Sequence, residues 1–181
     1  MSARLQGARL YLVAPAHLDA GDLADLVPEL AAAGVDLVQL REKTLEAGDV
    51  LRLAGPVREA CRSAHIPFLV NDHADVAVAA AADGVHVGQN DLPVEVARRF
   101  LGDGIVGLST HTPEEVDSAV ARAASIDYFV VGPVRTTPTK PGRPAAGFGL
   151  VRHASTTGTE LPWFAIGGID TSNIDEVVAA G

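Results

Sequence analysis

Gln39, Arg41 and Lys43 stand at alternate positions in Val38-Gln39-Leu40-Arg41-Glu42-Lys43. In an extended chain alternate side chains share one side, so an amide, a guanidinium and an ammonium point together. Such an array binds an anion, although a strand end with solvated charges has the same pattern. Two aspartates follow, Asp72 in Asn71-Asp72 and Asp91 in Gly88-Gln89-Asn90-Asp91. Carboxylates from adjacent strand ends suit Mg2+, which takes few protein oxygens and completes its shell with water and substrate phosphate. Taken singly, each aspartate reads sooner as a helix cap, because a helical pattern follows it, and only the basic strand beside the pair reverses that preference. Cations beside carboxylates would neutralise each other; a diphosphate carried with its metal uses both.

Two further groups close the set. After Tyr128-Phe129-Val130-Val131 the chain turns into Thr137-Pro138-Thr139-Lys140-Pro141, whose hydroxyls and ammonium suit phosphate or a polar ring and whose prolines lower the entropy of ordering. A stiff surface turn is the alternative. In Ala165-Ile166-Gly167-Gly168-Ile169 two glycines let backbone N–H groups approach an anion. Only two of the 14 basic residues are lysine, Lys43 and Lys140, and both fall in these groups. Among the histidines, His111 stands beside Ser109 at a strand end; the others read as surface or packing residues. No zinc-type spacing and no Gly-x-Gly-x-x-Gly after a strand is present.

The elements that must position these groups alternate. Short apolar runs predict strands at Arg9 to Ala14, Val35 to Leu40, Pro67 to Asn71, Gly84 to Gly88, Ile105 to Ser109, Tyr128 to Gly132 and Trp163 to Gly167. Between them, three- and four-residue apolar spacing predicts helices at Leu23 to Ala33, Val50 to Ala64, Ala74 to Ala82, Val94 to Leu101, Pro113 to Ala124 and Asn173 to Ala180, with a short helix after the sixth strand. Continuously apolar strands imply a parallel sheet covered on both sides. The candidate residues fall at the C-terminal ends of five or more strands, and a barrel gathers all those ends at one mouth. The expectation is one α/β domain over residues 1–181, a (β/α)8 TIM barrel with the eighth strand and helix absent: either the chain continues or the sheet stays open between its first and seventh strands.

A hydrophobic content of 48% can fill a sizeable core. The formal charge of -9 argues against non-specific attraction to nucleic acid or an anionic membrane. Cys61 is the single cysteine, so no internal disulfide forms, and neither a signal peptide nor an apolar run of about 18 residues is seen. The cytoplasm is the expected compartment; self-association is left open.

Together these segments, with Tyr11-Leu12-Val13 and Gly107-Leu108-Ser109-Thr110-His111, resemble the thiamine-phosphate synthase family from the first strand to the end of the sequence. The resemblance implies a barrel enzyme that joins hydroxymethylpyrimidine diphosphate to a thiazole phosphate with Mg2+. By position, Gln39, Leu40, Arg41, Glu42, Lys43, Asn71, Ser109 and Lys140 would bind the pyrimidine diphosphate, with Arg41, Lys43, Ser109 and Lys140 acting in catalysis. Asp72 and Asp91 would hold Mg2+. Thr137, Pro138, Thr139 and Gly168 would meet the thiazole phosphate. Diphosphate would leave first, giving a pyrimidine methyl cation that the thiazole nitrogen attacks, so no protein nucleophile is needed. Family members continue to an eighth strand with a second hold on that phosphate, and the 181-residue chain is expected to bind thiazole phosphate poorly. The alternatives are a thiazole tautomerase using a histidine near His111 and a non-catalytic phosphate-ligand module.

Overall fold

Strands buried on both faces need apolar residues throughout, and Leu37–Leu40, Phe68–Asn71, Gly84–Val87, Ile105–Thr110 and Tyr128–Val131 are buried at every position. The computed structural model describes residues 5–136 and 145–181, which fall into two compact units, 5–107 and 108–181.

The first unit begins with β1 (Tyr11–Ala14), then a small antiparallel hairpin of β2 (His17–Leu18) and β3 (Gly21–Asp22). It continues through α1 (Leu23–Ala32), β4 (Leu37–Leu40), α2 (Ala47–Ala64), β5 (Phe68–Asn71), α3 (Ala74–Ala79), β6 (Gly84–Val87) and α4 (Val94–Leu101). The strands hydrogen-bond in the order β1-β4-β5-β6, with β7 (Ile105–Thr110) next. Pairing is parallel, with Val13 opposite Gln39, Gln39 opposite Leu69, and Asn71 opposite His86. The register therefore brings the polar residues of β4, β5 and β6 to neighbouring strand ends.

The helices form where the apolar spacing demands. In α2, Val50, Ala54, Val57 and Cys61 recur at three- and four-residue intervals and are the buried positions; burying each valine contributes about 1.5–3 kcal/mol. The helix ends at His65, which takes a left-handed conformation (φ 59°), while Ile66 N–H donates to the Cys61 carbonyl at 3.0 Å. At Gly84 no side chain would fit, because a Cβ there would drive into the Ile105 carbonyl oxygen across the β6–β7 pair.

The second unit takes β7 onward through α5 (Pro113–Ala121), β8 (Tyr128–Val131), α6 (Gly147–Thr156), β9 (Trp163–Ala165) and α7 (Ile174–Ala179), with strand order β7-β8-β9. β8 and β9 are parallel, and Tyr128 meets Phe164 edge-on at 5.7 Å.

All seven predicted strands form, each within two residues of its expected start and with its end shifted by up to two. Two differences are instructive. The β2–β3 hairpin was not expected, because two-residue strands leave no periodicity; it is closed by the His17–Asp22 pair at 2.6 Å. The helix after the sixth strand is a full ten residues, although it opens with Gly147-Phe148-Gly149, two poor helix formers that mask its start.

Candidate active site

In residues 5–107 the charged candidates meet at the ends of β4, β5 and β6. Lys43 Nζ lies 2.5 Å from Asp72 Oδ2. Asp72 itself sits at φ 62°, an uncommon conformation for a residue with a side chain. Its N–H donates to the His86 carbonyl at 2.8 Å, and His73 N–H donates to the Asn71 carbonyl at 2.7 Å. This tight turn directs the Asp72 carboxylate to Asp91, with which it hydrogen-bonds. Asp91 Oδ2 in turn accepts Gly88 N–H at 2.8 Å.

Two carboxyls in contact cannot both ionise cheaply. Burial pushes the Asp72 carboxyl up from its ordinary range; Lys43 opposes and the neighbouring Asp91 reinforces that rise. Burial acts on Asp91 too, yet the hydrogen bond from Asp72, the Gly88 N–H, Lys43 and His86 outweigh it and hold Asp91 low. The pair thus draws its two carboxyls in opposite directions, Asp72 upward and Asp91 downward. The helix-cap alternative is excluded for both, since α3 is capped at His73 and α4 at Pro93.

Around this pair the array on β4 divides. Gln39 is 2% exposed and its Nε2 donates to the Tyr11 hydroxyl, while Tyr11 stands edge-on to His86 at 6.2 Å. Arg41 is half-buried, its N–H held by the Ala14 carbonyl at 2.8 Å. Leu40 is fully buried in the core, and the Glu42 carboxylate turns to accept Ala16 N–H at 2.7 Å. Neither of these two side chains is presented as the alternating array is. Asn71 is 6% exposed, and among the described residues its Nδ2 has no hydrogen-bond partner. An unsatisfied buried amide costs about 1–3 kcal/mol, so an acceptor belongs there.

The strand ends of residues 108–181 are built differently. Ser109 is nearly buried on β7, and Thr110 Oγ1 donates to the Val130 carbonyl at 3.0 Å. His111 Nδ1 is 2.5 Å from the Gly132 carbonyl. Glu115 Oε2 accepts His111 N–H at 2.7 Å while Glu115 N–H donates to the Thr112 hydroxyl at 3.3 Å, a reciprocal cap that starts α5. Gly168 has φ 67°, and a Cβ there would lie 2.8 Å from Arg135 Cβ. Its carbonyl accepts Asn173 Nδ2 at 2.9 Å. Thr137, Pro138, Thr139 and Lys140 lie outside the described residues.

Sequence reasoning missed the Tyr11 hydroxyl as partner of Gln39 and the role of His86 beside Asp91. The signal for Tyr11 was its place on β1, two residues before the position that pairs with Gln39.

Among the described residues no group of three or more His, Cys, Asp or Glu assembles into a metal site. Asp72 and Asp91 are a pair of hard oxygen donors, the first destabilised as an anion by burial and then by the second. That donor chemistry fits Mg2+, whose remaining positions go to water and phosphate.

A parallel α/β fold of the TIM-barrel type, with its polar residues at the C-terminal ends of the strands, defines an enzyme class whose sites sit at those ends. Within that class the comparisons are specific. Residues 10–181 match the family model of thiamine monophosphate synthase, and the chain belongs to that family. The thiamine-phosphate synthase of Acidothermus cellulolyticus is 53% identical, over 100% of this chain and 85% of its own length. That of Thermobifida fusca is 51% identical, over 98% and 82%. The solved thiamine phosphate pyrophosphorylase of Pyrococcus furiosus superposes with a TM-score of 0.82 at 28% identity, over 99% of this chain and 84% of its own. The protein is accordingly a transferase of thiamine biosynthesis. No helix among the described residues is long and apolar enough to cross a membrane.

Proposed function

We propose that the protein makes thiamine phosphate by joining hydroxymethylpyrimidine diphosphate to a thiazole phosphate in a Mg2+-dependent reaction that releases diphosphate, and that it works in the cytoplasm. One observation carries the reading: Lys43, Asp72 and Asp91 form a mixed-charge cluster next to Asn71, whose amide has no partner among the described residues. A diphosphate with its cation supplies what each of these groups needs.

In this reading Asp72 and Asp91 hold the Mg2+, which, when bound, neutralises charge building on the departing diphosphate. Arg41 and Lys43 would hold diphosphate oxygens, Lys43 leaving its Asp72 contact to do so. Asn71 donates to an acceptor on the pyrimidine substrate. Gln39, fixed by Tyr11, orients the same substrate. Leu40 and Glu42 meet the substrate through their backbones. The contacts that the family resemblance assigns to Ser109, Thr137, Pro138, Thr139, Lys140 and Gly168 remain part of the proposal. No side chain acts as nucleophile; the residues stabilise the leaving group and align two substrates while a pyrimidine methyl cation forms and is captured by the thiazole nitrogen.

The test is product formation. Thiamine phosphate and diphosphate should appear in equal amounts only when Mg2+ and both substrates are present. A thiazole isomerisation that proceeds without metal or pyrimidine would favour the tautomerase reading, and ligand binding without turnover would favour a non-catalytic module.

A further inference from the structure

The Glu42 carboxylate stands between the two cations of the array, where a negative charge should weaken anion binding. Its position in the fold resolves the conflict. Glu42 Oε1 accepts the Ala16 N–H at 2.7 Å, while the Arg41 N–H donates to the Ala14 carbonyl at 2.8 Å. These bonds run in opposite directions between the same two segments, the end of β4 and the chain just after β1. They continue the strand pairing of Ala14 with Leu40 past the point where regular β-structure stops. Ala16 is itself fixed, being 4% exposed and accepting Leu23 N–H at its carbonyl at 2.8 Å, at the base of the β2–β3 hairpin.

We infer that Glu42 is a positioning residue. It clasps the residues that carry Arg41 and Lys43 to the β1 hairpin loop and so fixes the direction in which both cations point. The inference rests on the reading that Arg41 and Lys43 hold a diphosphate. It goes further by assigning Glu42 a side-chain role that no substrate contact requires. A hydrogen bond to a charged acceptor is stronger than one between neutral groups. Supporting groups of this kind set the geometry of the groups that touch the ligand.

Charge and positioning predict opposite signs, and this makes the inference testable. If Glu42 were merely a nearby negative charge, removing it would tighten diphosphate binding. If it positions Arg41 and Lys43, Glu42→Ala weakens binding, whereas Glu42→Gln, which keeps an oxygen able to accept Ala16 N–H, does not. The probe is inorganic diphosphate, titrated by calorimetry with and without Mg2+ into the whole protein, alongside steady-state kinetics with both substrates. Glu42→Ala should weaken diphosphate binding on the order of 10- to 100-fold, as loss of a hydrogen bond to a charged group does. It should raise KM for the pyrimidine diphosphate by a similar factor and leave KM for the thiazole phosphate unchanged. Glu42→Gln should stay within about twofold of the parent, since the acceptor remains. Should Glu42→Ala fail to fold by circular dichroism, Glu42→Asp, with a shorter reach, should fold and bind diphosphate with intermediate affinity. Arg41→Ala serves as the reference. If Arg41→Ala leaves diphosphate binding intact, the diphosphate reading itself fails. If Arg41→Ala weakens binding while the folded Glu42 variants bind as well as or better than the parent, Glu42 is not a positioning residue.

Discussion

The strand ends of residues 5–107 and those of residues 108–181 solve the problem of building a polar site in opposite ways. In the first, charged side chains are held in mutual conflict: burial, reinforced by Asp91, pushes Asp72 up, Asp91 is held low, and Lys43 leans on the pair. In the second, side chains and backbone satisfy one another. His111 and Glu115 close a cap, Asn173 holds the Gly168 carbonyl, and the Gly167-Gly168 turn adopts positive φ angles that favour glycine. Conflict among charges stores affinity for a cation and a polyanion. A satisfied backbone stores shape, and it gives way when a single methyl group intrudes.

The largest effect should break the first region. Asp91→Ala removes the ionised carboxylate and should lower Mg2+-dependent product formation about 100-fold or more, the order expected when a metal's several kcal/mol of charge stabilisation is lost. Measuring initial rates across a Mg2+ titration checks it; activity within a factor of three of the parent at saturating Mg2+ would remove Asp91 from the site. Gly168→Ala should break the second region by sterics instead. An L-residue in that left-handed conformation costs about 1–2 kcal/mol, before the displacement of Arg135 is counted. A melting temperature lowered by about 3–8 °C in a thermal unfolding scan is expected.

Asp72→Asn sharpens the contrast, because it should damage function and improve folding at once. With Asp72 displaced upward, its penalty is present at neutral pH and is relieved as pH falls through the raised pKa. The amide removes that penalty at every pH. Lys43 loses a partner, but a half-exposed ion pair is worth little, about 0–1 kcal/mol. The metal-free variant should therefore melt at or slightly above the parent temperature at pH 7, and the advantage should shrink in acid. A lower melting temperature at pH 7 would mean that the Lys43 pair outweighs the conflict. The smallest effect concerns Cys61, whose thiol burial pushes up to about 12. It should stay unmodified by a disulfide reagent at pH 8 in the parent and in Asp72→Asn alike; labelling in the variant alone would show that the change had loosened residues 5–107.

The alternation of apolar strand and amphipathic helix was legible in the sequence because burial imposes it residue by residue: β4 and α2 could be read from Leu37–Leu40 and from Val50, Ala54, Val57 and Cys61. That Lys43, Asp72 and Asp91 come together was legible from their places just past adjacent apolar strands, although each alone also fitted a cap or a solvated strand end. What could not be read is where a side chain turns once regular structure ends. Strict alternation placed Glu42 opposite Arg41 and Lys43, yet only the folded chain reveals that it reaches Ala16. The Tyr11–Gln39 bond depends likewise on pairing between strands 28 residues apart in sequence. The β2–β3 hairpin escaped because its strands are shorter than any period.

The Asn71 amide has a consequence for inhibitor chemistry. Most polar anchors in a binding site must be won from a protein partner or from water, and a fragment gains only the difference. A buried nitrogen with no partner among the described residues offers nearly the whole of its hydrogen bond to the first well-placed oxygen or ring nitrogen. A small neutral heterocycle carrying one such acceptor should therefore bind with high efficiency per atom, and Asn71→Leu should abolish its binding.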